Sequence, residues 1–216
     1  MAVTYQSQAS ATPSSGTTIT VAKPSGTVEG DVLVALVMVQ GTTTQQSITP
    51  PAGWTAVGGG GVPSGSVRIG GVWYRVAGGS EPASYTFTVA VTMNQSVGVL
   101  LRYAPQSPTT PPGVVDDAAM AETVTTPGVA PSLDATGNAD TLISLFAAQT
   151  TQGATPSGMT ERVLSLQSAI KVGVYDQLLS SPGATGTREW TGSSGARSWS
   201  ILLFAEQAGS RIRMMV

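Results

Sequence analysis

The sequence predicts an all-β protein, an antiparallel, jelly-roll-like β-sandwich built from two tandem repeats of about six strands each, with minimal helix. Three observations carry that expectation. Short runs rich in Val, Ile, Thr and aromatic residues recur along the 216 residues, punctuated by Gly, Pro and Ser. No window shows a convincing period of 3.6 residues. The second half of the chain also repeats the order of the first.

In the first repeat the strand candidates are 17–22, 31–39, 54–57, 67–76, 85–91 and 97–103. In the second they are 122–126, 141–148, 159–166, 169–178, 187–191 and 198–205. Five landmarks keep their order at an offset of about 100 to 110 residues: Asp31 with Asp140, Gly53 with Gly158, Gly71 with Gly173, Pro82 with Pro182, and Val99 with Ile201. The expected organisation is a repeat over 1–104, a Pro-rich extended crossover over 105–117, a second repeat over 118–207 packed closely on the first, and a tail over 208–216.

The paired segments "PPAGWT" and "TPSGMT" show what the repeated pattern does. Proline stops ladder pairing. Gly53 and Gly158 permit a positive-φ turn. The large residue after the glycine, Trp54 or Met159, then drops into the core as a plug. Substitution of Met for Trp argues that volume is required there and an indole is not. Trp73 aligns with Tyr175 and should point inward. Tyr74 aligns with Asp176 and should reach water or an interface. Val97, Val99 and Leu101, matched to Trp199, Ile201 and Leu203, should form one inward face.

The run "VLVALVMV" is apolar on both faces, and "LISLFAA" nearly so. A half-exposed antiparallel strand should alternate apolar with polar residues. Leaving several such side chains wet would forgo several kcal/mol at about 25 cal/mol per Å². The second face therefore needs a cover: the other repeat, a neighbouring subunit or a partner, and more than one of these can hold together.

Composition narrows the function classes. Charged residues are 10% of the chain, and Ser with Thr supply about a quarter. A net charge of −2 gives no footprint for nucleic acid. The longest apolar run is too short to span a bilayer. The N-terminus lacks the basic start and apolar stretch of a secretory signal. No cysteine or histidine is present, which removes thiolate and imidazole metal sites and the Ser-His-Asp and Cys-His arrangements. No cofactor or resident metal is expected. "GGGG", 58–61, lacks the Lys-Ser/Thr of a phosphate loop and reads as a hairpin tip.

Among twelve carboxylates, Asp116 and Asp117 fall in the crossover, where neighbours on an extended chain point apart. Asp31 and Asp140 could be set as a glycosidase pair, but a turn-forming Asp at matching strand starts is the favoured reading. Asp134, Asn138 and Asp140 are too loosely spaced for an EF-hand loop and read as a polar turn. No catalytic residue is assigned. The best candidates for contact with a glycan or partner are Tyr74, Trp190, Arg211 and Arg213. Trp190 aligns with Phe87, so a core position is the safer reading for it.

"GDVLVALV", "ITPPAGWTAV", "VWYRVAGGSEPASYTFT", "SVGVLLRYA", "SGMTERV" and "GATGTREWT" resemble segments of small duplicated β-rich proteins of tailed bacteriophages, especially those of actinobacteria. The resemblance runs from about Thr17 to Glu206. It implies a non-enzymatic virion structural protein, a minor tail protein by first choice, with a capsid decoration (cement) protein and a glycan-binding module for host adsorption as alternatives. It implies other virion proteins and further copies of the chain as partners, with host cell-surface glycan a further possibility, and residence in the virion. The matching residues, Gly30, Asp31, Pro51 to Thr55, Trp73, Tyr74, Glu81, Pro82, Tyr85 and Phe87, read as scaffold.

Overall fold

A computed structural model describes residues 2–41, 47–58, 68–105, 113–121, 125–137, 140–149, 151–191, 193 and 196–205. The first half forms β1 (Val3–Ala11), β2 (Thr18–Ala22), β3 (Val32–Gly41), β4 (Ile48–Thr49), β5 (Thr55–Ala56), β6 (Arg68–Val76), β7 (Ser84–Val89) and β8 (Met93–Pro105). The second forms β9 (Gly113–Met120), β10 (Gly128–Ala130), β11 (Asp134–Ala135), β12 (Thr141–Ala148), β13 (Thr160–Leu166), β14 (Lys171–Leu178), β15 (Gly183–Ala184), β16 (Arg188–Trp190) and β17 (Arg197–Ala205). All pairings are antiparallel, and no helix occurs among the described residues.

The sheet orders give the topology. In the first half the large sheet runs β1-β8-β3-β6-β5 and a smaller one runs β2-β7-β4. Orders 1-8-3-6 and 2-7-4 on opposing sheets are those of a jelly roll. The second half has its large sheet in the corresponding order, β9-β17-β12-β14-β13. Its outer layer is interrupted: β10 pairs with β16, and β11 with β15. Between these two ribbons Thr185 donates its N–H to the Leu133 carbonyl at 2.8 Å.

Four layers result, with the two large sheets in the middle. On β3, Val32, Val34, Leu36 and Met38 face the other half, while Leu33, Ala35, Val37 and Val39 face the small sheet. On β12, Ile143, Leu145 and Ala147 face the first half, while Leu142, Phe146 and Ala148 face the outer ribbons. This explains why both strands are apolar on both faces, as only fully covered strands can be. Of the covers the sequence left open, the other half of the same chain fills the role. Assembly through these sheet faces, as expected of an oligomer, is corrected accordingly: they are spent inside one molecule.

Contacts fix how the large sheets oppose. The Arg162 guanidinium of β13 lies 4.8 Å over the Tyr5 ring of β1. Tyr103 of β8 donates to Asp176 of β14 at 3.2 Å. A Cβ on Gly70 of β6 would lie 3.3 Å from Trp199 of β17. One built on Gly58, just after β5, would collide with Met120 of β9. The strand order of one sheet therefore runs opposite to that of the other.

Six strands were not among those expected from the sequence: the short β4, β10, β11 and β15, and the long β1 and β9. Of the expected strand over 122–126, the described residues show only the bridge from Thr125 to Ala196. β1 reads VTYQSQASA, with small polar residues where a strand signal needs apolar ones. The expected crossover over 105–117 contains the start of β9, which pairs with β17 from Gly113 onward. Each edge strand carries a bulge, after Tyr5 in β1 and after Val115 in β9. The extra residue reverses the facing of the side chains beyond it. Val3 and Tyr5 thus pack between the large sheets, whereas Ala9 and Ala11 pack toward the small sheet.

The last strands also differ from the expected alignment. Val34 pairs with Leu101, and Ile143 with Ile201. Val99 therefore corresponds to Trp199 and not to Ile201. A slip of two residues keeps each side chain on its face, so the inward set was legible while its register was not.

The repeated turn adopts the expected form. Gly53 and Gly158 have φ of 82° and 76°. Trp54 is buried with its ring centroid 5.1 Å from that of Tyr85. Met159 is half-buried against the outer core of the second half.

Candidate functional site

The two equivalent aspartates are turn formers, as expected. Asp31 Oδ2 accepts the Val28 N–H at 2.9 Å, and Asp140 Oδ2 accepts the Gly137 N–H at 3.0 Å. Both residues start a central strand, and their carbonyls accept from the end of the neighbouring one, Ala77 and Leu179. Asp31 also holds Arg102 at 2.6 Å, with its side chain 2% exposed. Replacing Asp31 by Ala is expected to cost about 2–3 kcal/mol, because a part-buried guanidinium and a backbone N–H lose their acceptor. Urea denaturation would measure it; a loss below about 0.5 kcal/mol would show the pair to be idle.

Two further carboxylates are enclosed. Glu81 accepts from Arg75 at 2.8 Å, from the Gly78 N–H at 2.6 Å and from the Tyr85 hydroxyl at 2.5 Å. Arg75 in turn lies over the rings of Trp54 and Tyr85. Arg162 Nε donates to both carboxylate oxygens of Asp176 at 2.9 Å, and Tyr103 donates to Oδ2 as well. The position shared by Tyr74 and Asp176 was expected to reach water or an interface. It lies at the junction of the two large sheets, where Tyr74 is half-buried against the central core.

Asp31, Glu81 and Asp176 each accept from an arginine, and their side chains are between 2% and 5% exposed, an arrangement that ties strands and turns together. Burial pushes the Tyr103 phenol well above its ordinary value, reinforced by the charge of Asp176 and the hydrogen bond to it. Tyr175 is pushed up to about 12, chiefly by burial. These phenols hold their protons in the fold after unfolded tyrosines have begun to ionise near pH 10. The unfolded chain then binds fewer protons than the native one, so stability falls as pH rises. Urea midpoints should hold steady below about pH 9.5 and drop between about pH 10 and 12. A flat profile across that window would contradict the buried, protonated state of these phenols.

Of the sequence-predicted contact residues, Tyr74 and Trp190 are described, and they belong to different cores. Trp190 is buried: its ring stacks on Phe146 at 5.5 Å and its Nε1 donates to the Tyr175 hydroxyl at 2.9 Å. It is corrected from a possible glycan contact to a core residue, because its neighbours Gly153 and Gly173 carry no side chains and leave room for the indole. Trp54, Trp73 and Trp199 are buried as well. Arg211 and Arg213 lie outside the described residues, as does Asn138. Asp116 and Asp117 sit at and after the bulge of β9. No group of three or more carboxylates that could hold a metal occurs among the described residues. Sequence reasoning missed the Asp176–Arg162–Tyr103 lock, because its three members come from strands whose opposition only the fold reveals.

No helix among the described residues is long and apolar enough to cross a membrane. No family model, curated protein or solved structure matches the chain.

Proposed function

We propose that this chain is a non-enzymatic structural protein of a bacteriophage virion, a minor tail protein. The observation that carries the reading is the closure of the molecule: four β layers in which the four tryptophans are buried and Asp31, Glu81 and Asp176 are tied to arginines. Such a body holds a shape. The segment resemblance to tailed-phage proteins supplies the setting. The jelly-roll order adds support at the level of fold analogy alone, since that fold serves viral capsids and also lectins. A charge-poor, hydroxyl-rich surface without cysteine suits assembly in cytosol and persistence outside cells.

The test is peptide mass spectrometry and labelled-antibody microscopy on purified particles of a phage encoding the chain. A few to a few dozen copies at the tail is the expected result. Hundreds of copies on the head would assign the capsid decoration role instead, and absence from particles would refute both. Burial of the four tryptophans weighs against the glycan-adsorption alternative, and binding on a glycan array would restore it.

A further inference from the structure

We infer that the molecule self-associates through the free edge of β1, a second copy adding its own β1 antiparallel to extend the large sheet. The inference deepens the self-assembly part of the proposed function and rests on it. Among the described residues β1 ends its sheet, bonded on one side to β8. The other large-sheet edges are guarded. β5 is two residues long. β13 carries the charged residues Glu161 and Arg162. β9 carries Asp116 and Asp117 at the bulge, where β1 has Gln6 and Ser7. Charge on an edge strand is a standard protection against pairing, and β1 has none.

The same edge position is thus charged in one half and neutral in the other. The neutral character extends beyond the strand: no Asp, Glu, Lys or Arg occurs from Met1 to Ala22, a span that includes the adjacent edge strand β2. A symmetric antiparallel dimer sets a segment against its own reversed copy, so like charges near the two-fold axis would lie close together. β1 is the long edge where that juxtaposition costs nothing, which selects a second copy as the occupant. The geometry also limits the segment. Gln6 Nε2 donates to the Thr4 carbonyl at 3.2 Å, occupying the backbone on the N-terminal side of the bulge. Ser7 to Ala11 beyond it remain regular, with Gln8 and Ser10 exposed.

Sedimentation of the full chain over a wide concentration range should show a reversible dimer. Gln8→Lys with Ser10→Lys should weaken it at least tenfold while leaving the melting temperature unchanged, since both side chains are exposed. Because the chain has no cysteine, Gln8→Cys should give a covalent dimer on mild oxidation, where Thr88→Cys, exposed on the central strand of the small sheet, should not. A chain that stays monomeric, a dimer indifferent to the two lysines, or equal cross-linking at both cysteines would overturn the inference. Absence from phage particles alongside a β1 dimer would refute the setting and leave the dimer standing.

Discussion

Residues 1–105 expressed alone should not yield a folded monomer. That fragment keeps its own sandwich but uncovers the central face formed by Val32, Val34, Leu36, Met38, Val72, Val97, Val99, Leu101 and Tyr103. Wetting nine such side chains would cost on the order of 10 kcal/mol at 1 to 2 kcal/mol each. A domain's whole stability is about 5–15 kcal/mol. The fragment should therefore aggregate, or pair with itself through the bare face, and a fragment from 106 onward should behave alike. Co-expression should recover a soluble one-to-one complex, because Gln95 with Ser168 and Ala169, and Thr141 with the Val3 carbonyl, bind across the joint. Size-exclusion chromatography with light scattering reads the outcome directly. A monomeric, cooperatively melting fragment 1–105 would contradict the packing described for the large sheets.

Trp199→Ala is the single substitution expected to do most damage. The ring is fully buried between the large sheets, against the space that Gly70 leaves open. Truncating a buried tryptophan costs about 3–5 kcal/mol. The loss should appear as one shifted transition in urea, because the cavity lies in the core that both halves share. Its Nε1 has no hydrogen-bond partner among the described residues, so Trp199→Phe should recover most of the stability by filling much of the volume without burying an N–H. Two separated transitions in Trp199→Ala would mean that the halves are energetically independent.

Strand existence was legible where burial writes a pattern. "VLVALVMV" states by its lack of polar alternation that both its faces are covered. The turn glycines and Asp31 and Asp140 were readable because positive φ and strand-start turns demand particular residue types. β1 was not readable, because an edge strand half in solvent needs no apolar run. β9 was hidden by the prolines before it. The bulges, the two-residue slip at Trp199 and the closure of Asp176 with Arg162 and Tyr103 depend on how sheets meet, and no local sequence signal encodes that meeting.

Covering β3 and β12 on both sides also dictates where this chain can accept change. Side chains there meet close-packed neighbours above and below, and even one methylene is felt in such a setting. The small sheet and the interrupted ribbons each touch solvent on one side, where alternate residues such as Thr18, Thr20, Thr86 and Thr88 are open. Drift should accordingly collect in the two outer skins while the two middle layers stay nearly frozen, so that a library of random variants selected for solubility would trace the four-layer order in its tolerance map.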